Sequence, residues 1–100
     1  MFDFIKNLFG NNSEEMKEII ENGAVIIDVR TPGEFAGGHP AKAVNIPLDT
    51  LESKLSKIKG YKKPIVLCCA SGMRSARAKS FLQGKGIENL HDAGAWSNIA

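Results

Sequence analysis

The chain is poor in cysteine: of its 100 residues only Cys68 and Cys69 are cysteines, and they are neighbours. Adjacent thiols cannot close the loops of a disulfide framework, so the fold must rest on its core. The chain also carries little excess charge. A formal net charge of +2, with no basic run interleaved with aromatics, argues against a nucleic-acid-binding role. Lys54, Lys57, Lys59, Lys62 and Lys63 form a loose basic stretch that reads as a solvated helix face and turn. No apolar run reaches the roughly 20 residues of a membrane-spanning helix. The opening MFDFIKNLFG lacks the long apolar run and small-residue cleavage site of a secretory signal. These absences lead to the expectation of a cytoplasmic, reducing location, which suits a free thiol. No internal repeat is visible, and a composition 43% hydrophobic and 24% charged gives no reason to expect disorder.

What is present has the size of one domain. Phe2, Phe4, Ile5, Leu8 and Phe9 space as a short amphipathic helix, giving an N-terminal segment over residues 1–11 and a domain over 12–100. Asn12 or Ser13 precedes a helix with Glu14 and Glu15 in its first turn, Met16, Ile19 and Ile20 on one stripe, and Asn22-Gly23 at its end. The apolar run 24–28 reads as a buried strand closing at Asp28-Val29-Arg30. Thr31-Pro32-Gly33 is a turn leading into one helical turn. Residues 43–46 predict a second strand. Asp49 and Glu52 suggest a capping box for a helix carrying Leu51, Leu55 and Ile58 and stopped by Gly60. Residues 64–69, Pro-Ile-Val-Leu-Cys-Cys, are the clearest strand. A turn Ala70-Ser71-Gly72-Met73 leads to a helix from about Arg74 to Leu82 that buries Ala78, Phe81 and Leu82. A last strand is expected over 87–91. Strands alternating with helices predict an α/β fold with a parallel sheet covered on both faces.

Ligands of such sheets gather outside the carboxyl ends of the strands. Two polar clusters fall there: Asp28-Val29-Arg30, and Cys69 with its following loop. Cys69 closes an apolar strand, four residues turn the chain, and a helix begins near Arg74. Backbone N–H groups in such a turn form an anion nest, and the helix N-terminus adds partial positive charge. Both favour a thiolate on Cys69, placing its pKa below the free value of about 8.5. Cys68 faces the other side of the strand and reads as a packing residue. Arg74 either enters the pocket to bind an oxyanion or turns outward to anchor the loop. Ser75 reads as a helix cap, while Ser71 caps or donates to a bound anion. Asp28 and Arg30 read as structural: Asp28 accepts backbone or arginine hydrogen bonds, and Arg30 pairs with Glu34 or another acid, the alternative being that it binds donor anions. His39 reads as a loop hydrogen-bonder.

The stretch Cys69-Ala70-Ser71-Gly72-Met73-Arg74-Ser75 resembles the active-site loop of the rhodanese family. Upstream, Asp28-Val29-Arg30-Thr31-Pro32-Gly33-Glu34-Phe35, Gly38-His39 and Ala43-Val44-Asn45-Ile46-Pro47-Leu48 resemble that family's other signature, and Gly94 and Trp96 are a weaker echo. The resemblance implies a rhodanese-like central parallel sheet of four or five strands with helices on both faces. It implies sulfur transfer through a persulfide on catalytic Cys69, with Ala70, Ser71, Gly72, Met73 and Arg74 holding the substrate and Asp28, Arg30 and Ser75 in support. It further implies a donor such as thiosulfate or a persulfide, and cyanide or a thiol as acceptor. A protein sulfur acceptor or a thioredoxin-like reductant is a further partner, and neither metal nor organic cofactor is required. Two rivals remain: a non-catalytic sulfur carrier or adaptor, and a cysteine-dependent phosphatase or arsenate reductase. The latter pattern places five residues between Cys and Arg, where this chain has the four from Ala70 to Met73.

Overall fold

The alternation of apolar runs and polar, glycine-marked turns is realised as alternating strands and helices in a computed structural model, which describes residues 13–100. The amphipathic segment over 1–11 lies outside the described residues. In chain order the elements are α1 (Ser13–Glu21), β1 (Val25–Asp28), α2 (Pro32–Ala36), β2 (Val44–Asn45), α3 (Leu55–Tyr61), β3 (Ile65–Cys69), α4 (Met73–Gly84) and β4 (Leu90–Ala95). Single 3-10 turns at Leu48–Thr50, Glu52–Lys54 and Trp96–Asn98 complete the chain.

The sheet has four strands among the described residues, in the order β2-β1-β3-β4, and every pairing is parallel. β3 is buried along its whole length, as an all-apolar run in a two-faced sheet should be. Its side chains feed two cores. Ile65, Leu67 and Cys69 pack with Ile58 of α3 and Ala78 and Leu82 of α4, while Val66 and Cys68 pack with Met16 of α1 and Ile99. The two cysteines therefore face opposite sides of the sheet, as strand alternation requires.

Four local expectations are corrected. Asp49 caps no helix: the Leu51 N–H that it would accept donates to Leu48 O, and Thr50 N–H donates to Pro47 O. The chain instead climbs through two 3-10 turns, and α3 begins at Leu55. With that later start, Gly60 lies inside α3, and Lys62 takes the left-handed stop with φ of 53°. The last strand begins at Leu90, because Ile87 N–H is still closing α4 on Leu82 O and left-handed Asn89 turns the chain into the sheet. Phe81 is half-buried, unlike Ala78 and Leu82.

The strand end at Asp28 carries a fully buried carboxylate. Its compensation is Arg30, itself 4% exposed, which gives Asp28 its backbone N–H, Nε and Nη2 at 2.7–3.1 Å. The same Nη2 donates to Gly38 O, and the guanidinium lies 4.7 Å from the Trp96 ring centroid. Asn45 Nδ2 donates to the carbonyls of Asp28 and Arg30 from β2. One ion pair thus joins β1, the 37–39 loop and the C-terminal turn. Arg30 pairs with Asp28, and Glu34 is left for another partner. Removing one member of a buried pair strands the other charge, so Asp28→Ala should lower unfolding free energy in urea by about 3–5 kcal/mol. Replacing both charges, as Asp28→Leu with Arg30→Met, should cost less than the single change.

Candidate active site

β2 lies on one side of β1 and β3 on the other, so the carboxyl ends of β1 and β3 form the switch point of the sheet. Cys69 ends β3 there. The bulge opposite Leu67 and Cys68, which pairs Cys68 with Gly94, brings β4 alongside. Gly94 has φ of 73°, its N–H is held by Asp92 Oδ1 at 2.9 Å, and its Cα lies 3.7 Å from where a Gly72 side chain would begin.

The loop after Cys69 doubles back because Gly72 takes φ of 105°, a conformation that side-chain-bearing residues adopt only with strain. That turn aims the Gly72 N–H at Cys69 Sγ, 2.9 Å away. The buried Ser75 hydroxyl sits 3.5 Å from the same sulfur and 3.1 Å from Gly72 O. It has one proton to place. With a neutral thiol, S–H donates to Ser75 Oγ, which donates to Gly72 O; with a thiolate, the hydroxyl proton turns to the sulfur. Gly72 O keeps a second donor, the Ala76 N–H, in either state. Ser75 is thus a sulfur partner, where a helix cap was expected; the capping position belongs to Gly72, which has no side chain to offer.

These donors decide the charge on Cys69. The residue has no exposed surface, and burial acts to raise its pKa. The Ser75 hydroxyl, followed by the N–H groups of Ser75, Gly72 and Ser71, more than offsets burial and holds the thiol below its ordinary value. Cys68, on the far face, has no such donors. Burial, then the charge of Asp28, push it up to about 12. Of the two thiols, Cys69 is therefore the one that ionises more readily.

Arg74 turns outward. Its Nη1 and Nη2 grip Glu34 Oε1 and Oε2 at 2.7 and 3.0 Å, so the guanidinium anchors the loop to α2 and leaves the sulfur to backbone and hydroxyl donors. Ala70, Ser71 and Met73 are exposed on the loop, and Gly72 is half-buried. His39 Nδ1 donates to Phe35 O at 2.8 Å and its ring stacks on Phe35, as a loop hydrogen-bonder should.

Glu34 is the functional neighbour that the residue-by-residue reading missed. Thr31-Pro32-Gly33-Glu34 is a complete capping box with proline in the first turn, and that signal is legible in the sequence. Its second partner, Arg74, is 40 residues away and is not. Held first by Arg74 and then by the Thr31 N–H, the Glu34 carboxyl falls to about 2. A carboxylate held low in the folded state favours folding above its ordinary pKa, and that contribution fades as pH falls toward about 2.

Two clefts open near this framework. One, of about 380 Å³, flanks the loop and is lined by Val29, Thr31, Pro47, Leu48, Asp49 and Arg74. The other, of about 360 Å³, opens at the opposite ends of the strands between Lys59, Lys62, Lys63 and Asn89, far from the thiol. Of the two, the first touches the segment after Cys69, through Arg74; neither is lined by Cys69 itself. Carboxyl resonances in Arg74→Ala should show Glu34 titrating above about 2 but still short of the ordinary 4.5, because the Thr31 donors remain; an unmoved titration contradicts the loop anchor.

The family model for the rhodanese-like domain matches residues 12–98. An uncharacterised Bacillus subtilis protein, YqhL, is 41% identical over 69 residues, covering 69% of this chain and 54% of its own length. A Buchnera aphidicola protein named tRNA uridine(34) hydroxylase is 28% identical over 86 residues, covering 80% of this chain and 28% of that protein. The thiosulfate sulfurtransferase GlpE of Ectopseudomonas mendocina is 27% identical, covering 78% and 71%. The chain thus spans about half, or less, of the first two of these relatives. Among solved structures, the human single-domain sulfurtransferase TSTD1 superposes with a TM-score of 0.73 at 28% identity, covering 85% of this chain and 88% of that one. With the family pattern matched from the first helix to the final turn, and a four-stranded parallel sheet presenting a cysteine loop at its switch point, the chain belongs to the rhodanese-like domain family.

Proposed function

We propose that this protein is a sulfurtransferase that carries sulfane sulfur as a persulfide on Cys69. The observation that carries the reading is the Gly72 N–H, 2.9 Å from Cys69 Sγ in a turn whose other donors also favour the anion. Such a thiolate is a nucleophile that needs no base at the moment of attack. With thiosulfate as donor, Cys69 sulfur attacks the sulfane sulfur. An S–S bond forms, the donor's S–S bond breaks, and sulfite leaves with the bonding pair. The terminal sulfur of the persulfide is anionic, and the donors of residues 71–75 are the groups available to hold it. An acceptor nucleophile, cyanide or a thiolate, then bonds to that terminal sulfur, and the Cys69 thiolate recovers the pair. Neither step changes the proton count of the enzyme, and no metal or organic cofactor takes part. A reducing compartment such as the cytoplasm keeps the resting thiol free.

The commitment of Arg74 to Glu34 supports sulfur over phosphate. A phosphatase of this kind sets a guanidinium against the equatorial oxygens of its substrate, whereas this one is already bidentate on a carboxylate 40 residues away. The short Ala70–Met73 loop points the same way.

Thiocyanate formation from thiosulfate and cyanide should therefore be measurable, lost in Cys69→Ala and retained in Cys68→Ala, with no hydrolysis of aryl phosphates. Strong phosphatase activity that disappears with Cys69→Ser would overturn the proposal. The rate of sulfur loading should climb with pH through the Cys69 pKa and level off below the ordinary thiol range. Ser75→Ala removes the largest favourable contribution to the thiolate, so it should move that rise to higher pH. Gly72→Ala should move it in the same direction and also cost of order 1–3 kcal/mol in stability, through strain at the left-handed turn.

A further inference from the structure

β4 runs beside the sulfur in a register that one extra residue sets. Leu67 pairs with Asp92, but the next residue of β3, Cys68, pairs with Gly94, and Cys69 pairs with Ala95. Ala93 is the residue left over, which makes this a β-bulge. Without it, Ala93 would lie beside Cys68 and Gly94 beside Cys69.

The bulged peptide unit is gripped at both ends. Its N–H, that of Gly94, donates to Asp92 Oδ1 at 2.9 Å, and its carbonyl, that of Ala93, accepts from Asn98 Nδ2 at 2.9 Å. Asn98 belongs to the 3-10 turn Trp96–Asn98, and the buried Ile99 pins that turn in the same core as Cys68. The grip matters because Gly94 has φ of 73°. Glycine takes either sign of φ readily, so the backbone alone leaves this peptide plane free to flip. Two opposed hydrogen bonds select one orientation.

That orientation bears on the sulfur through Gly72. Gly94 Cα lies 3.7 Å from the point where a Gly72 side chain would begin, so the bulge backs the left-handed turn that aims the Gly72 N–H at Cys69 Sγ. We propose that Asp92 and Asn98 are positioning residues for sulfur transfer: together they fix the Ala93–Gly94 peptide plane, and through it the turn that delivers the hydrogen-bond donor to Cys69. Neither residue touches the reacting sulfur. This inference rests on the sulfurtransferase reading, because it assigns the clamp to the nucleophile of that reaction.

The test measures the pH profile of Cys69 alkylation by iodoacetamide on the full chain, read by peptide-resolved mass spectrometry, beside thiosulfate loading and unfolding in urea. Asp92→Ala should move the profile upward by about half a pH unit, the effect of weakening one hydrogen bond to the sulfur. Asp92→Asn keeps an oxygen acceptor at the same place and should restore the wild-type profile. Loss of the Asp92 charge acts in the opposite direction, because removing a negative charge favours a thiolate, so an upward shift reports geometry. Every variant leaves the Asp28–Arg30 and Glu34–Arg74 pairs in place. Asn98→Ala should shift the profile in the same direction as Asp92→Ala. Asn98 is exposed, so this variant keeps the test valid if Asp92→Ala folds poorly. Variants that unfold at lower urea with an unmoved Cys69 profile would overturn the proposal, since the clamp would then serve stability alone. Equal shifts in Asp92→Asn and Asp92→Ala would also overturn it, because the bond to Gly94 would not be the cause. Failure of the wild-type protein to load sulfur, with the alkylation shifts present, would overturn the sulfurtransferase reading, together with the role assigned to the clamp in it.

Discussion

The hydrogen bond from Gly72 N–H to Cys69 Sγ is the contact around which the rest of the structure is arranged. It requires a buried sulfur, a left-handed residue three positions later, and a helix that starts at once. Each requirement has a separate physical source. β3 buries the sulfur because its five residues are all apolar. Glycine alone reaches φ of 105° without strain. The helix beginning at Met73 brings Ser75, and with it a hydroxyl, to the sulfur's other side. Burial alone would make Cys69 a poor thiolate; the donors reverse that, and the contrast with Cys68 one residue away measures how local the effect is.

The loop itself is held from outside. Asp28 and Arg30 fix the neighbouring strand end, and Arg30 extends that hold to Gly38 and Trp96. Glu34 performs two tasks with one carboxylate: it closes the capping box of α2 and accepts both nitrogens of Arg74. The pair on Glu34 is about one-third exposed, so it positions the loop more than it adds stability. The buried pair at Asp28 is different, because either charge alone would be stranded in the core.

Most of the fold was legible in the sequence because its strands are continuous apolar runs with polar punctuation. The 24–28 and 64–69 runs became β1 and β3 within a residue or two. The loop cysteine was legible because a strand end, a glycine turn and a helix start are all local signals. The failures were also local in origin. Asp49 and Glu52 have the spacing of a capping box, but the chain there runs through 3-10 turns, with Thr50 N–H on Pro47 O and Leu51 N–H on Leu48 O, and α3 begins only at Leu55. The true box, Thr31 with Glu34, is visible in the sequence, where it reads as a turn leading into one helical turn. β4 was displaced because an isolated Ile87 attracts a strand assignment, although it finishes the turn after α4. The Glu34–Arg74 pair, the Asn45 bonds and the approach of Gly94 to Gly72 join distant segments, and no single-sequence pattern encodes such contacts.

Stoichiometric incubation with thiosulfate, followed by peptide-resolved mass spectrometry without reductant, tests the central claim most directly. A gain of one sulfur atom, about 32 Da, should appear on the Cys69 thiol, reverse with cyanide, and be absent from Cys69→Ala. Sulfur that persists in Cys69→Ala and vanishes in Cys68→Ala would contradict the account, because it would place the reactive sulfur on the face of the sheet that has no donors for it.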